Sequence, residues 1–107
     1  MKKLTKIVVT AGLGVGLLMS GAQAASAATF YDDINYGKYL ETLSSGNLTY
    51  SDKASSIRNT GWATYCENNG CAGRTVRLNG SYNDLRAVNS SLNFGETWSD
   101  RISAVKP

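Results

Sequence analysis

Two eight-residue stretches far apart in the chain are near copies. Ser51-Asp52-Lys53-Ala54-Ser55-Ser56-Ile57-Arg58 and Ser99-Asp100-Arg101-Ile102-Ser103-Ala104-Val105-Lys106 are identical at three of eight positions and similar in kind at four more. Each closes a longer unit that opens with an aromatic, acidic, turn-rich hairpin segment: Phe30-Tyr31-Asp32-Asp33-Ile34-Asn35-Tyr36 in the first, Thr64-Tyr65-Cys66-Glu67-Asn68-Asn69-Gly70-Cys71 in the second. An internal repeat of this length constrains the fold more than any other feature. A unit of about 35 residues cannot bury its own sheet face, so two must pack face to face as one domain. The division falls at 28–60 and 61–107.

Local patterns agree with that reading. Strands are expected at Thr29-Phe30-Tyr31, 39–43, Ser56-Ile57-Arg58, 62–65, 75–78 and 102–105, separated by Asp-Asp, Ser-Ser-Gly-Asn, Glu-Asn-Asn-Gly and Leu-Asn-Gly-Ser. Tyr39-Leu40-Glu41-Thr42-Leu43 and Thr75-Val76-Arg77-Leu78 roughly alternate, as half-buried strands do. Many short strands with regular turn signals predict an all-β sandwich or barrel. The only helical signal is 82–88, worth one or two turns. Trp62 and Trp98 are expected in core or rim packing.

Residues 1–27 read as an export signal. Lys2, Lys3 and Lys6 precede the apolar run 7–18, and Ala25-Ser26-Ala27 offers a cleavage pattern, with Ala24 the alternative site. An apolar core of about 12 residues is too short for a membrane span, which takes roughly 20. The remaining domain is therefore expected to be secreted and extracellular, with no membrane contact. The chain has 11 Lys+Arg and 8 Asp+Glu, and removing the three lysines leaves eight of each sign. A neutral domain lacks the clustered basic surface that nucleic acid requires. Arg74, Arg77, Arg86 and Arg101 are spread among acids and read as ordinary solvated surface.

The chain contains no His. Ser-His-Asp and Cys-His catalysis are thus excluded within it, as are His-containing zinc sites. Asp32 and Asp33 are adjacent, so on a strand they face opposite sides and cannot act as an acid–base pair. The chain reads as a non-enzyme. Its two cysteines, Cys66 and Cys71, stand five positions apart. In an exported domain a disulfide is favoured over free thiols, contributing about 2 kcal/mol for so short a loop.

The repeat resembles the βγ-crystallin family over essentially all of residues 28–107. The unit of that family is a Greek key whose hairpin reads aromatic-acid-turn-aromatic-x-Gly. Its microbial calcium-binding members end each unit in [ND]-[ND]-x-x-[ST]-S. Tyr31-Asp32-Asp33-Ile34-Asn35-Tyr36 is similar to the hairpin, and Gly73 stands at its glycine in the second unit. Asn79-Gly80-Ser81-Tyr82 looks like the connection before the last strand. Asp52-Lys53-Ala54-Ser55-Ser56 and Asp100-Arg101-Ile102-Ser103 are similar to the calcium segments from their second position onward. Ser51 and Ser99 replace the first Asn/Asp, Ala104 the second closing Ser, and Lys38 the first hairpin's glycine. Either Gly37 takes that glycine's role or the hairpin is strained. Cys71 occupies the second aromatic's place one residue late, where the disulfide substitutes for ring packing.

The resemblance implies two Greek-key motifs packed as a β-sandwich, acting as a monomer. It implies calcium as the bound ion, in two sites that each draw ligands from both units. Asp52, Ser55, Asp100 and Ser103 would be the metal ligands, with backbone carbonyls near Asp33, Lys53, Glu67 and Arg101 completing the shells. The bland alternative is that these Asp and Ser side chains only bond their own turns. A secreted protease inhibitor or a killer-toxin-like antifungal protein is the other function on such a fold, with an extracellular protease or a cell-wall component as partner. An inhibitor would present the loop Glu67-Asn68-Asn69-Gly70. A toxin would present an aromatic patch of Tyr36, Tyr39 and Trp98.

Overall fold

The computed structural model describes residues 27–107; the expected export signal lies, up to residue 26, outside them. Seven strands form two antiparallel sheets. The first holds β1 (Ala28–Tyr31), β2 (Tyr39–Leu43) and β4 (Ser56–Arg58) in the order β2-β1-β4. The second holds β3 (Gly46–Asn47), β5 (Trp62–Asn68), β6 (Ala72–Asn79) and β7 (Ala104–Lys106) in the order β3-β7-β5-β6. Three-residue 3-10 turns at Ile34–Tyr36, Asn69–Cys71 and Leu85–Ala87 are the helical content among the described residues. The all-β sandwich read from the repeat is what the chain adopts.

The order of the strands shows an exchange. β3 belongs to the first unit, yet it pairs with β7 of the second, Gly46 opposite Val105 and Asn47 opposite Ala104. Reciprocally, Tyr82 of the second unit bridges Ile57 in β4, through Ile57 N–H to Tyr82 O and Tyr82 N–H to Ile57 O, both 2.9 Å. Each unit thus lends its third strand position to the other's sheet. That makes each sheet a four-position Greek key and leaves neither unit complete alone.

Period-2 patterning builds the core. Ala28 and Phe30 of β1, Ala63 and Tyr65 of β5, and Val76 and Leu78 of β6 all point inward. Phe30 and Tyr65 meet edge to face, centroids 6.1 Å apart at 80°. Trp98 lies fully buried in the same cluster, its indole N–H donating to Ser90 O at 2.9 Å. An aromatic side chain buries 150–250 Å², so at about 25 cal/mol per Å² each contributes roughly 4–6 kcal/mol of transfer free energy. A surface ion pair contributes about 0–1 kcal/mol. The rings between the sheets therefore dominate cohesion. Trp62, in contrast, is 56% exposed, with Arg77 lying 5.5 Å from its ring centroid.

The folded hairpins repeat in register 35 residues apart. Asn35, Tyr36 and Lys38 have φ of 57°, 62° and 56°; Gly70, Cys71 and Gly73 have 69°, 54° and 75°. The buried aromatic shared by both units is Phe30 and Tyr65, so Cys71 is the counterpart of Tyr36 without an offset. The one-residue offset expected for Cys71 is therefore absent. Tyr31 and Tyr36 pack ring to ring at 5.6 Å, and the corresponding positions 66 and 71 carry the disulfide. The disulfide thus stands in place of an aromatic pair.

Lys38 itself takes the left-handed conformation, because Gly37 is extended at φ −89°. A side chain in that region costs about 1–2 kcal/mol, offset in part by the chain freedom a glycine would lose. Lys38→Gly is therefore expected to stabilise the domain by roughly 0.5–1 kcal/mol in urea denaturation. Gly73→Ala should destabilise it more strongly, since its Cβ would lie 2.5 Å from Asn68 Nδ2. A loss of stability in Lys38→Gly would contradict the strain.

Candidate metal sites

The two repeated segments lie against each other and exchange equivalent bonds. Asp52 N–H donates to Ile102 O at 3.0 Å, and Asp100 N–H donates to Ala54 O at 2.9 Å. Ser55 N–H donates to Tyr31 O at 2.8 Å, and Ser103 N–H to Cys66 O at 2.9 Å. These four bonds hold each turn against the other unit and against its own hairpin. Asp52 and Asp100 both have positive φ, 62° and 57°. Asp tolerates that region better than most side chains, because its short polar group bonds nearby backbone.

The side chains cross as the backbone does. Ser103 Oγ donates to Asp52 Oδ1 at 3.0 Å, and Ser51 Oγ lies 2.6 Å from Ser103 Oγ. Ser55 Oγ donates to Asp100 Oδ1 at a longer 3.4 Å. Each carboxylate therefore takes its serine from the other unit. All four candidate ligands are brought together, as two oxygen pairs. Ser51, which departs from the expected Asn/Asp, adds a third oxygen to the first pair, so that pair is the richer one. Ser103 is buried, Ser51 and Ser55 are half-buried, and the two aspartates reach solvent.

These pairs sit on a known scaffold. No family model matches the chain, and no curated protein does. Solved structures do. An archaeal βγ-crystallin superposes with a TM-score of 0.59 at 22% identity, covering 77% of this chain and 96% of that one. A βγ-crystallin from Ciona intestinalis gives 0.57 at 21%, covering 75% and 96%. A chain from work on the evolution of the eye-lens βγ-crystallin domain fold gives 0.56 at 20%, covering 81% and 89%. The chain has the βγ-crystallin fold.

On this βγ-crystallin scaffold the donors are all oxygen. No group of three or more His, Cys, Asp or Glu that could hold a metal occurs among the described residues. A cation here would rely on single carboxylates, hydroxyls and carbonyls, a donor set suited to calcium and not to zinc. Neither Asp52 nor Asp100 takes part in any ion pair among the described residues. Each accepts a hydrogen bond from a serine hydroxyl.

The arginines are less dispersed than their sequence positions suggest. Arg74 bonds Glu67 at 2.5 Å and Glu96 at 2.6 Å; Arg101 reaches Glu67 at 3.3 Å and Glu96 at 3.7 Å. This ring of alternating sign joins β5, β6 and the segment leading into Asp100. Separations of 22 and 34 residues hid it. Arg74, through its side-chain hydrogen bonds above all, holds the Glu67 carboxyl down to about 2, and it lowers that of Glu96 as well. The loop Glu67–Gly70 is accordingly tied down, by this ring and by Gly70 N–H donating to Asn47 Oδ1 at 2.7 Å. The proposed aromatic patch loses Trp98, which has no exposure; Tyr36, half-buried beneath Arg58, and Tyr39, 62% exposed, both pack against Tyr31. Among the described residues Phe94, which carries no signal in the sequence, is a fully exposed apolar side chain.

The ion ring sets an acid limit. A carboxylate whose folded value lies below its unfolded value stabilises above the unfolded value and loses that contribution as pH falls through the folded one. For Glu67 the window runs from 4.5 down to about 2. Glu96 and Asp84, the latter lowered by Arg86, shift the same way. Thermal melts should thus be flat in pH down to about 5 and fall below it. Glu67→Gln should flatten that fall; an unchanged slope would exclude the ring as its cause.

Proposed function

We propose that this is an exported, monomeric, non-enzymatic domain that binds calcium weakly in two sites, each shared between its units. The observation that carries the reading is the crossed pairing of Asp52 with Ser103 and of Asp100 with Ser55. A pair of turns that only satisfied themselves would bond locally. Here each carboxylate is held beside a hydroxyl from the other unit, which is how a cation shared between units would be gripped. Calcium takes six to eight oxygens at about 2.3–2.6 Å, so the loop carbonyls and water must supply the remainder. One carboxylate per site places the affinity in the range of extracellular modules, about 10⁻⁴ to 10⁻³ M. The site with Ser51 is the tighter.

Bound calcium would bridge the two units and so resist their separation. A ligand that binds only the folded state adds RT ln(1 + [L]/Kd). At a Kd near 10⁻⁴ M, about 10 mM calcium adds roughly 2.7 kcal/mol per site. In a domain of about 80 residues that raises Tm on the order of 10 °C or more. Magnesium should do much less, because it demands a regular octahedral shell. Asp52→Asn should reduce the rise more than Asp100→Asn, given the extra oxygen from Ser51. Calorimetry showing no calcium effect on Tm would overturn this reading.

A further inference from the structure

One backbone bond joins the disulfide to the first oxygen pair. Cys66 is fully buried in β5, and its carbonyl accepts the N–H of Ser103 at 2.9 Å. Ser103 is 4% exposed, and its hydroxyl is the one given to Asp52. The other unit repeats the arrangement with different chemistry. There the Tyr31 carbonyl accepts the N–H of Ser55 at 2.8 Å. Tyr31 is braced by ring contacts, with Tyr36 at 5.6 Å and Tyr39 at 6.3 Å. One serine is therefore bonded to a hairpin braced by rings, the other to a hairpin braced by a covalent bond beside the Glu67 ion pairs and the Gly70–Asn47 bond.

We propose that the Cys66–Cys71 disulfide positions the Asp52/Ser103 oxygen pair through the Cys66 carbonyl, and that opening it loosens that pair while sparing Asp100/Ser55. The covalent link keeps residues 66–71 folded back over a turn with two consecutive left-handed residues, Gly70 and Cys71. Without it, no aromatic pair is present at these positions to hold the turn. The Cys66 carbonyl then gains freedom, and Ser103 with it. Partners one shell out from a metal's ligands set its affinity in this way. Opening takes two electrons and two protons. A dithiol supplies them: its thiolate attacks the sulfur of Cys71, the less buried of the two residues, and Cys66 leaves as a thiolate that takes up a proton. The second thiol then resolves the mixed bond, and the reagent departs as its own disulfide.

The calcium part of this inference rests on the proposed function; the positioning part does not, so the test reads them separately. Amide hydrogen exchange would be followed at Ser103 and Ser55 without calcium, in the native chain, in Cys66→Ala/Cys71→Ala, and in the native chain opened with a dithiol. Ser103 should exchange roughly tenfold faster in both altered forms, with Ser55 unchanged. Titration with calcium chloride followed at the same amides should then show roughly tenfold weaker binding at the Asp52/Ser103 pair and unaltered binding at the other. An unchanged Ser103 amide, or both amides quickening together as in general unfolding, would overturn the positioning role. Selective loosening of Ser103 in a chain that ignores calcium would keep the positioning role and sink the calcium reading alone.

Discussion

Two backbone hydrogen bonds tie the units to each other at the point on which the other features converge. Asp52 N–H reaches Ile102 O, and Asp100 N–H reaches Ala54 O, with both Ala54 and Ile102 fully buried. A hydrogen bond contributes only about 0.5–1.5 kcal/mol net, but a buried carbonyl left unpaired costs about 1–3. The crossing is therefore hard to undo one bond at a time. It places both aspartates in the left-handed region and sets each beside the other unit's serine. The exchange of β3 and Tyr82 between sheets closes the same arrangement from the far side. Local conformation, sheet order and site geometry are one constraint seen at three scales.

Within that shared frame the units have solved the same problems differently. Where the first braces its hairpin with Tyr31 and Tyr36, the second uses Cys66 and Cys71. Where the second turns on Gly73, the first carries Lys38 at a backbone cost. The first oxygen pair gains Ser51, while the second is flanked by the ion ring through Arg101, which directly follows Asp100. None of these differences disturbs the twofold relation, because each acts on one unit's side chains and leaves the crossing bonds intact. The proposed calcium sites are consequently related by symmetry but unequal in strength.

The strands with a usable period were legible in the sequence. The stretch 39–43 matches β2, marked by rough alternation, and Ser56–Arg58 matches β4, marked by the turn residues around a short run. That Asp52 faces Ser103 and Asp100 faces Ser55 followed from the family resemblance and not from the repeat, because a repeat alone does not say which equivalent segments meet. What escaped notice lacked any periodic signal. β3 is two residues long, inside a Ser-Ser-Gly-Asn turn, and owes its existence to β7 alone. The ion ring joins Glu67, Arg74, Glu96 and Arg101 across three connections, so only the fold reveals it. Trp98 was legible as a packing residue, and the structure puts it in the core; which residues surround it was not, because they come from distant strands.

The central claim is that the oxygen pairs form between units and not within them. Double-mutant cycles in stability, measured in about 10 mM calcium, test it directly. Asp52→Ala with Ser103→Ala, and Asp100→Ala with Ser55→Ala, should show interaction energies above about 0.5 kcal/mol. Asp52→Ala with Ser55→Ala, and Asp100→Ala with Ser103→Ala, should be additive within about 0.3–0.5 kcal/mol. Strong coupling inside each segment with additivity across units would contradict the account.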